Sequence, residues 1–232
     1  HGLMLALQGE AESRGAPVVL KSPVTGGEAR AEGVVLEIGG DHPTTILCRT
    51  VVNAAGHGAQ KIARAIRGMR LETIPPLHYA RGNYFTLTGK NPFRHLIYPA
   101  PRPRNSGALG VHVTLDLAGR ARFGPDLEWI DSLDYAVNPE RGATFYEAVR
   151  RYWPDLPDGA LAPAYAGVRP KLACPGEPER DFILQGPADS GVAGLVNLFG
   201  IDSPGLTSCL ALADAVGRML GLDPDPLVAA GP

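Results

Sequence analysis

Two segments of the chain share one pattern of apolar and polar positions: a short apolar run, a turn of small residues and an amphipathic helix. In the first, an apolar run at 50–54 leads into the small residues 54–58 and then a helix at about 59–66. A short apolar run predicts a strand buried on both faces, and apolar residues recurring at helical spacing predict the helix. The glycine turn fits close packing of helix on strand and a ligand contact equally well.

The second segment lies near the C-terminus. An apolar strand is predicted at 195–199, followed by a polar turn and a helix with an apolar stripe along 206–220. Ser203 is the predicted N-cap and Pro204 the predicted first helical residue, because proline loses no hydrogen bond there. Such a helix start presents backbone N–H groups that attract an anion. An ordinary capped helix without a ligand accounts for the same residues.

Between these segments the pattern has a period of two. Residues 109–116 alternate, with Leu109, Val111 and their apolar partners on one face and His112 and other polar residues on the opposite face. Further strands are predicted at 79–87, 95–98, 121–123, 164–172 and 181–185, and one helix at 138–154. This pattern predicts a mainly antiparallel sheet domain.

The N-terminal region has short elements. The pattern predicts a helix ending near Gly15, a strand at 16–20, a turn-rich segment at 25–27, and a hairpin of strands 33–38 and 44–48. The chain starts without Met and inside an apparent helix, so we expect it to come from the middle of a longer protein.

The predicted fold class is α/β (α+β). Two flanking segments, 1–73 and 177–232, are predicted to form one domain, into which the mainly antiparallel domain 74–176 is inserted. The 232 residues, 44% of them apolar, suffice for a substantial core.

Charge, cysteine spacing and hydropathy argue against nucleic-acid binding, a metal site and a membrane helix. A net charge of −2 with interspersed signs gives no footprint for nucleic-acid binding. Cys48, Cys174 and Cys209 lack the spacing of a metal site, so we expect reduced packing residues and no metal. No run approaches the ~20 apolar residues of a membrane helix, so we expect a soluble chain in the cytoplasm.

A set of short motifs occurs in a characteristic order along nearly the whole chain. The motifs are Val51-Val-Asn53-Ala-Ala-Gly56, Arg81-Gly-Asn-Tyr84-Phe, His95-Leu-Ile-Tyr98-Pro, Leu109-Gly-Val-His112-Val-Thr, Phe123-Gly-Pro, Ala166-Gly-Val-Arg169-Pro-Lys171, Asp181-Phe and Ser203-Pro-Gly-Leu-Thr207. In this order they resemble the C-terminal two-thirds of FAD-dependent oxidoreductases of the D-amino-acid-oxidase superfamily, specifically the L-2-hydroxyglutarate dehydrogenase/oxidase branch. The resemblance implies a partial Rossmann-like FAD-binding domain with an inserted substrate domain.

Two departures from the family pattern affect the expectation. The family's N-terminal G-x-G-x-x-G unit, which holds the FAD pyrophosphate, is absent from these 232 residues. We therefore expect this chain by itself to bind FAD weakly and to be inactive. The turn that usually reads Ser-Pro-Ala-Ala-Thr has Gly205 and Leu206 at its centre.

The resemblance implies oxidation of a 2-hydroxy acid by hydride transfer to flavin N5. His112 suits the base that removes the hydroxyl proton, because imidazole has an ordinary pKa near ~6.5. Arg169, and Arg81 as second choice, suit the substrate carboxylate, while Tyr98 and Tyr84 are expected to close the pocket. Without the resemblance, a surface histidine, a solvent-facing Arg81 and core tyrosines remain open readings.

The cofactor contacts implied by the resemblance are mostly to backbone. The residues expected to contact FAD are Val24, Asn53, Ala54, Ala55, Gly56, Arg169, Ser203, Pro204, Gly205, Leu206 and Thr207. Donors at the last turn favour the charge that the reduced flavin carries near N1.

Two other functions remain open at this point. An amine oxidase of the same fold, acting on a glycine- or proline-like substrate, needs the same cofactor turn but no base. A non-catalytic binding domain is the alternative from another class. The electron acceptor, oxygen or quinone, stays undecided, and a quinone brings association with a membrane as a further alternative.

Overall fold

The computed structural model describes residues 1–100 and 110–222, which form a mixed α/β architecture with three sheets. The helices are α1 (Gly2–Ser13), α2 (Ala59–Ala65), α3 (Gly142–Arg150), α4 (Pro187–Ser190) and α5 (Cys209–Met219). The strands are β1 (Val24–Arg30), β2 (Gly33–Ile38), β3 (Thr44–Cys48), β4 (Val51–Asn53), β5 (Ile66–Arg67), β6 (His78–Leu87), β7 (His112–Leu115), β8 (Ala121–Gly124), β9 (Glu128–Ile130), β10 (Leu161–Lys171), β11 (Ile183–Gln185) and β12 (Leu195–Phe199).

Tertiary contacts divide the chain into two compact units. The first comprises 1–74, 184–198 and the part from 210 onward, and the second comprises 75–183 and 199–209. The segment 199–209, which the sequence pattern assigned to the C-terminal flank, groups with the second unit by its contacts.

A four-stranded sheet of order β3-β2-β1-β5 belongs to the first unit. The β2–β3 hairpin is confirmed, but two other predictions are wrong: residues 16–20 form no strand, and 25–27 lie inside β1. The glycines of β1 permit close strand approach, because a Cβ on Gly27 would lie 2.4 Å from the carbonyl oxygen of Val35. Glycine there serves strand packing instead of a turn.

A second sheet of the first unit has the order β11-β12-β4, with β12 and β4 parallel. The register pairs Leu195 with Val51 and Asn197 with Asn53. The predicted strand and the helix α2 after it are confirmed, but burial of the strand on both faces is wrong. Val52 is 44% exposed because β4 is an edge strand.

The second unit is built on an antiparallel sheet of order β10-β6-β8-β7, with β9 also paired to β6. One face packs on α3 to form an apolar core. Its largest members are Phe85, Val113, Phe123, Phe145 and Val149. The predicted alternation is confirmed for the described residues, and Leu109 lies outside them. Of the predicted strand 95–98, only Ile97 pairs, forming a bridge with Val113.

The start of α5 corrects the predicted capped helix. The helix begins at Cys209, and Ser203–Ser208 form consecutive turns, so Ser203 is not the N-cap. The N–H of Gly205 donates to the carbonyl oxygen of Asp202 at 2.5 Å, and a Cβ on Gly205 would lie 2.6 Å from that oxygen. The chain therefore turns more tightly here than a helix does.

Candidate active site

The second sheet has a polar face opposite its apolar core. The register pairs Tyr84 with Tyr165, His112 with Gly124, and Arg169 with Ala80. Since neighbouring side chains along a strand alternate between faces, Phe85 and Val113 on the core face leave Tyr84 and His112 on the other. Three of the five predicted substrate residues therefore share this face.

His112 stacks against Tyr98, which lies outside the strands. Their ring centroids are 4.0 Å apart with 24° between the planes. His112 is half-buried, whereas Tyr98 is 62% exposed and covers the imidazole from one side. The stacking holds the imidazole plane at the surface of the sheet, where a substrate has access to its edge.

Tyr84 stacks on Tyr165, a residue that the sequence reasoning missed. The ring centroids are 4.5 Å apart and nearly parallel at 10°. The Tyr84 ring lies over Gly124, since a Cβ there would lie 2.6 Å from Cδ1 of Tyr84. The guanidinium carbon of Arg122 is 5.4 Å from the centroid of Tyr165. The signal was present in the sequence, because Tyr165 precedes Arg169 by an even number of residues on one strand.

Arg169 presents a guanidinium without an acidic partner. The side chain is half-buried, and no carboxylate within residues 1–100 and 110–222 forms an ion pair with it. Strands β6, β7, β8 and β10 contain no Asp or Glu at all. Beside Arg169, nothing lies within 4 Å of a Cβ placed on Gly167, so the face is open there. An anionic ligand fits this open, cationic surface.

The same charge acts on the neighbouring titratable groups. Burial, and then the positive charge of Arg169, hold the pKa of His112 below the usual value of imidazole. Burial, and then Tyr165, raise the pKa of Tyr84, with Arg169 opposing. At neutral pH His112 is therefore uncharged and able to accept a proton.

An NMR titration of the isolated chain tests this electrostatic arrangement. Because burial and Arg169 both disfavour the imidazolium, we expect the His112 resonance to titrate below pH 6.5, the ordinary value for histidine. Arg169→Met removes one of the two causes and is expected to raise that midpoint. Arg120→Met, which removes a charge paired with Asp116, is the matched control and is expected to leave it unchanged. A midpoint at or above the ordinary value contradicts the arrangement.

Arg81 is placed away from the other predicted substrate residues. Its guanidinium pairs with Glu128 at 3.0 Å and with Asp134 at 2.7 Å, and its position in β6 puts it on the opposite face from Tyr84. The side chain is buried, so the solvent-facing alternative is wrong. Both carboxylates satisfy this cation, and we leave Arg81 out of the proposed substrate site.

The turn at Ser203–Thr207 also belongs to the second unit. Fewer of its donors are available than the capped-helix prediction implied, because the N–H of Gly205 is bonded to Asp202. The N–H groups of Leu206 and Thr207 form no hydrogen bond with any described residue. The turn thus keeps two adjacent donors for an acceptor on a ligand.

The predicted cofactor residues of the first unit lie at two strand ends. Val24 begins β1, opposite Ile38, and is half-buried. Asn53 ends β4, and its Nδ2 donates to the carbonyl oxygen of Ala59 and to Oδ1 of Asn197, each at 2.8 Å.

Two observations at the end of β4 fit a bound cofactor. Oδ1 of Asn53 is a buried acceptor with no donor among the described residues. The next residues lead to Gly56, which has φ +55° and open space where a Cβ would lie. An unpaired buried acceptor calls for a donor, and an open glycine admits close approach to the backbone. Ala54, Ala55 and Gly56 therefore fit backbone contact with FAD.

The described part of the chain contains no candidate metal site and no candidate membrane-spanning helix. Residues 1–100 and 110–222 hold no group of three or more His, Cys, Asp or Glu side chains suited to a metal ion. None of the helices in these ranges combines the length and apolar character required to cross a membrane.

Comparison with known proteins identifies sequence relatives. The family model described as "FAD dependent oxidoreductase" matches residues 1–219. The chain is 44% identical to an L-2-hydroxyglutarate dehydrogenase, mitochondrial, of Arabidopsis thaliana, over 92% of this chain and 48% of that protein. It is 32% identical to a glycerol 3-phosphate dehydrogenase of Caloramator mitchellensis, over 70% of this chain and 32% of that protein. The chain thus spans about half the length of the first relative and less of the second.

Solved structures show a similar fold. The FAD-bound L-α-glycerophosphate oxidase from Mycoplasma pneumoniae superposes with a TM-score of 0.66 at 21% identity, over 88% of this chain and 52% of that one. An L-proline dehydrogenase from P. horikoshii superposes with a TM-score of 0.69 at 16% identity, over 97% and 56%. These likenesses confirm the predicted fold class.

Proposed function

Because the chain belongs to the family of FAD-dependent oxidoreductases, we propose that it forms part of an enzyme that oxidises a 2-hydroxy acid of the L-2-hydroxyglutarate type to the 2-oxo acid. The observation that carries this proposal is the presence, on one sheet face, of an uncharged His112 and of Arg169, whose guanidinium has no ion-pair partner among the described residues. A 2-hydroxy acid requires both groups: a base for its hydroxyl and a cation for its carboxylate.

Arg169 orients the substrate in this proposal. A guanidinium binds a carboxylate through two parallel N–H···O bonds, which fixes the direction of the substrate's C1–C2 bond. The open space beside Gly167, where nothing lies within 4 Å of a Cβ position, gives the carboxylate access to Arg169. Tyr84 and Tyr98 line the neighbouring surface, with the phenol of Tyr84 protonated and able to donate a hydrogen bond.

His112 removes the hydroxyl proton. Its lowered pKa keeps the imidazole neutral in the physiological range, so a ring nitrogen is free to accept that proton. The stacked Tyr98 limits rotation of the ring and shields one side from water. Deprotonation of the hydroxyl makes the attached carbon a better hydride donor.

The residues proposed to hold FAD are those predicted from the sequence: Val24, Asn53, Ala54, Ala55, Gly56, Arg169, Ser203, Pro204, Gly205, Leu206 and Thr207. FAD supplies, when bound, the acceptor for the α-hydrogen of the substrate as hydride. Support comes from Oδ1 of Asn53 and from the N–H groups of Leu206 and Thr207, none of which has a hydrogen-bond partner in residues 1–100 and 110–222.

The electron acceptor and compartment belong to the same proposal. Reoxidation by oxygen or by a quinone is compatible with these residues. The Arabidopsis relative carries a mitochondrial name, so the cytoplasm predicted from the sequence is one of two candidate compartments.

Anaerobic reduction of the FAD-loaded whole enzyme, of which this chain is proposed to form part, tests the proposed function. We expect a yellow preparation whose flavin absorbance bleaches on addition of L-2-hydroxyglutarate, and the D-enantiomer serves as the matched control. Bleaching by proline or a glycine-like amine, with no response to any 2-hydroxy acid, favours the amine-oxidase alternative. A whole enzyme that remains colourless after incubation with FAD favours the non-catalytic alternative.

A further inference from the structure

Lys171 makes an ion pair that the substrate residues do not require. It is the last residue of β10, two positions after Arg169 and therefore on the same sheet face. Its Nζ lies 3.0 Å from Oδ2 of Asp202 but outside hydrogen-bonding geometry, so the contact is an ion pair. The Asp202 side chain is only 9% exposed, whereas Glu179, the other partner of Lys171, is almost fully exposed. The contact with Asp202 is therefore the less screened of the two.

Asp202 leads directly into the turn Ser203–Thr207. Its carbonyl oxygen accepts the hydrogen bond from the N–H of Gly205 at 2.5 Å. The residue that Lys171 contacts through the side chain thus supports the turn through its main chain. Lys171 therefore acts on the turn indirectly, through Asp202.

Leu172, the neighbour of Lys171, contacts the same loop at Gly200. A Cβ on Gly200 would lie 2.6 Å from Cγ of Leu172, so the Leu172 side chain packs against the backbone that enters the turn. Leu172 is buried. The end of β10 therefore touches the loop at Gly200 by packing and at Asp202 by charge.

We propose that Lys171 is a positioning residue: its ion pair with Asp202 holds the Ser203–Thr207 turn so that the N–H groups of Leu206 and Thr207 face a ligand acceptor. Without the ammonium, the largely buried carboxylate of Asp202 is uncompensated and moves toward water. Movement of Asp202 takes with it the acceptor of the Gly205 hydrogen bond. That the ligand is the pyrimidine end of the flavin rests on the proposed function.

Hydrogen exchange of the 232-residue chain without cofactor tests the positioning role. In Lys171→Met we expect the hydrogen-bonded amides of Gly205 and Ser208 to exchange at least about tenfold faster than in the wild type, since the turn opens locally. Lys171→Arg retains a cation and is expected to stay within about twofold of wild type. Lys90→Met, at an exposed lysine of the same unit, is the matched control. Unchanged exchange in β6 confirms that the sheet is folded.

Equal exchange of the Gly205 and Ser208 amides in wild type and Lys171→Met overturns the inference, whether or not FAD binds. A second measurement concerns the flavin: in the FAD-loaded protein, Lys171→Met is expected to shift the equilibrium with a reference redox dye about tenfold toward oxidised flavin. Faster exchange with no such shift overturns the flavin assignment and leaves the positioning of the turn supported. Faster exchange in the chain, together with a whole enzyme that takes up no FAD, supports the positioning role while contradicting the proposed function.

Discussion

His112→Ala is expected to lower kcat for the oxidation of a 2-hydroxy acid by about 10²–10⁴-fold, the range for loss of a positioned general base. The physical reason is that the hydroxyl proton then has no acceptor on the open face of the second sheet. The measurement is single-turnover reduction of the FAD-loaded protein, followed by flavin absorbance. His95→Ala, at an exposed histidine of the same unit, is the matched control.

A second variant separates the base from the packing. His112→Phe keeps an aromatic ring for Tyr98 to stack on but has no proton acceptor, so it is expected to lose as much turnover as His112→Ala. Recovery of turnover in His112→Phe assigns the residue a packing role instead. An unchanged rate in both variants excludes His112 as the base that removes the hydroxyl proton.

Arg169→Met is expected to reduce kcat/KM by about 10²–10³-fold, because a charged hydrogen-bonded pair with the substrate carboxylate is worth several kcal/mol when one partner is removed. The loss is expected to fall mainly on KM, since the carboxylate is bound equally in the ground state and the transition state. Steady-state kinetics over a range of substrate concentrations measures the split.

Arg169→Lys keeps the positive charge but cannot bind a carboxylate in the bidentate geometry of a guanidinium. It is therefore expected to recover only part of the lost kcat/KM. The control is Arg120→Met, whose guanidinium is exposed and paired with Asp116. If Arg169→Met leaves KM for the 2-hydroxy acid unchanged, the carboxylate binds elsewhere. The higher His112 pKa expected in the same variant provides an independent check on the proximity of the two side chains.

Local patterns identified most elements correctly, because their causes are local. Alternation along 110–116 required one apolar and one polar face, and the buried Val113 opposite the polar-face His112 confirms it. Helical spacing after the glycines identified α2, and the short loop between β2 and β3 identified their hairpin. The family resemblance predicted the fold class and the cofactor, and the comparisons confirm both predictions.

The incorrect predictions share a different cause. At these positions the structure is set by contacts with residues that are distant in sequence or that a local pattern does not reveal. Glycines at 26–27 were interpreted as a turn, whereas the carbonyl of Val35 across the strand pair requires them. The solvent-facing alternative for Arg81 was incorrect, because Glu128 and Asp134, about fifty residues later, pair with its buried guanidinium. Ser203 looked like a cap, but the Asp202–Gly205 hydrogen bond tightens the turn and delays the helix to Cys209.

For this protein, the sequence by itself determined the elements, the fold class and the residue types available for chemistry, since spacing and side-chain character are local properties. Only the tertiary structure decided which cations remain unpaired and which side chains share a face. Tyr165 joins Tyr84 through strand register, and Asp202 meets Lys171 through the return of the chain to the end of β10. Arg81 pairs with Glu128 and Asp134, whereas Arg169 has no acidic partner among the described residues, and only the tertiary contacts distinguish the two.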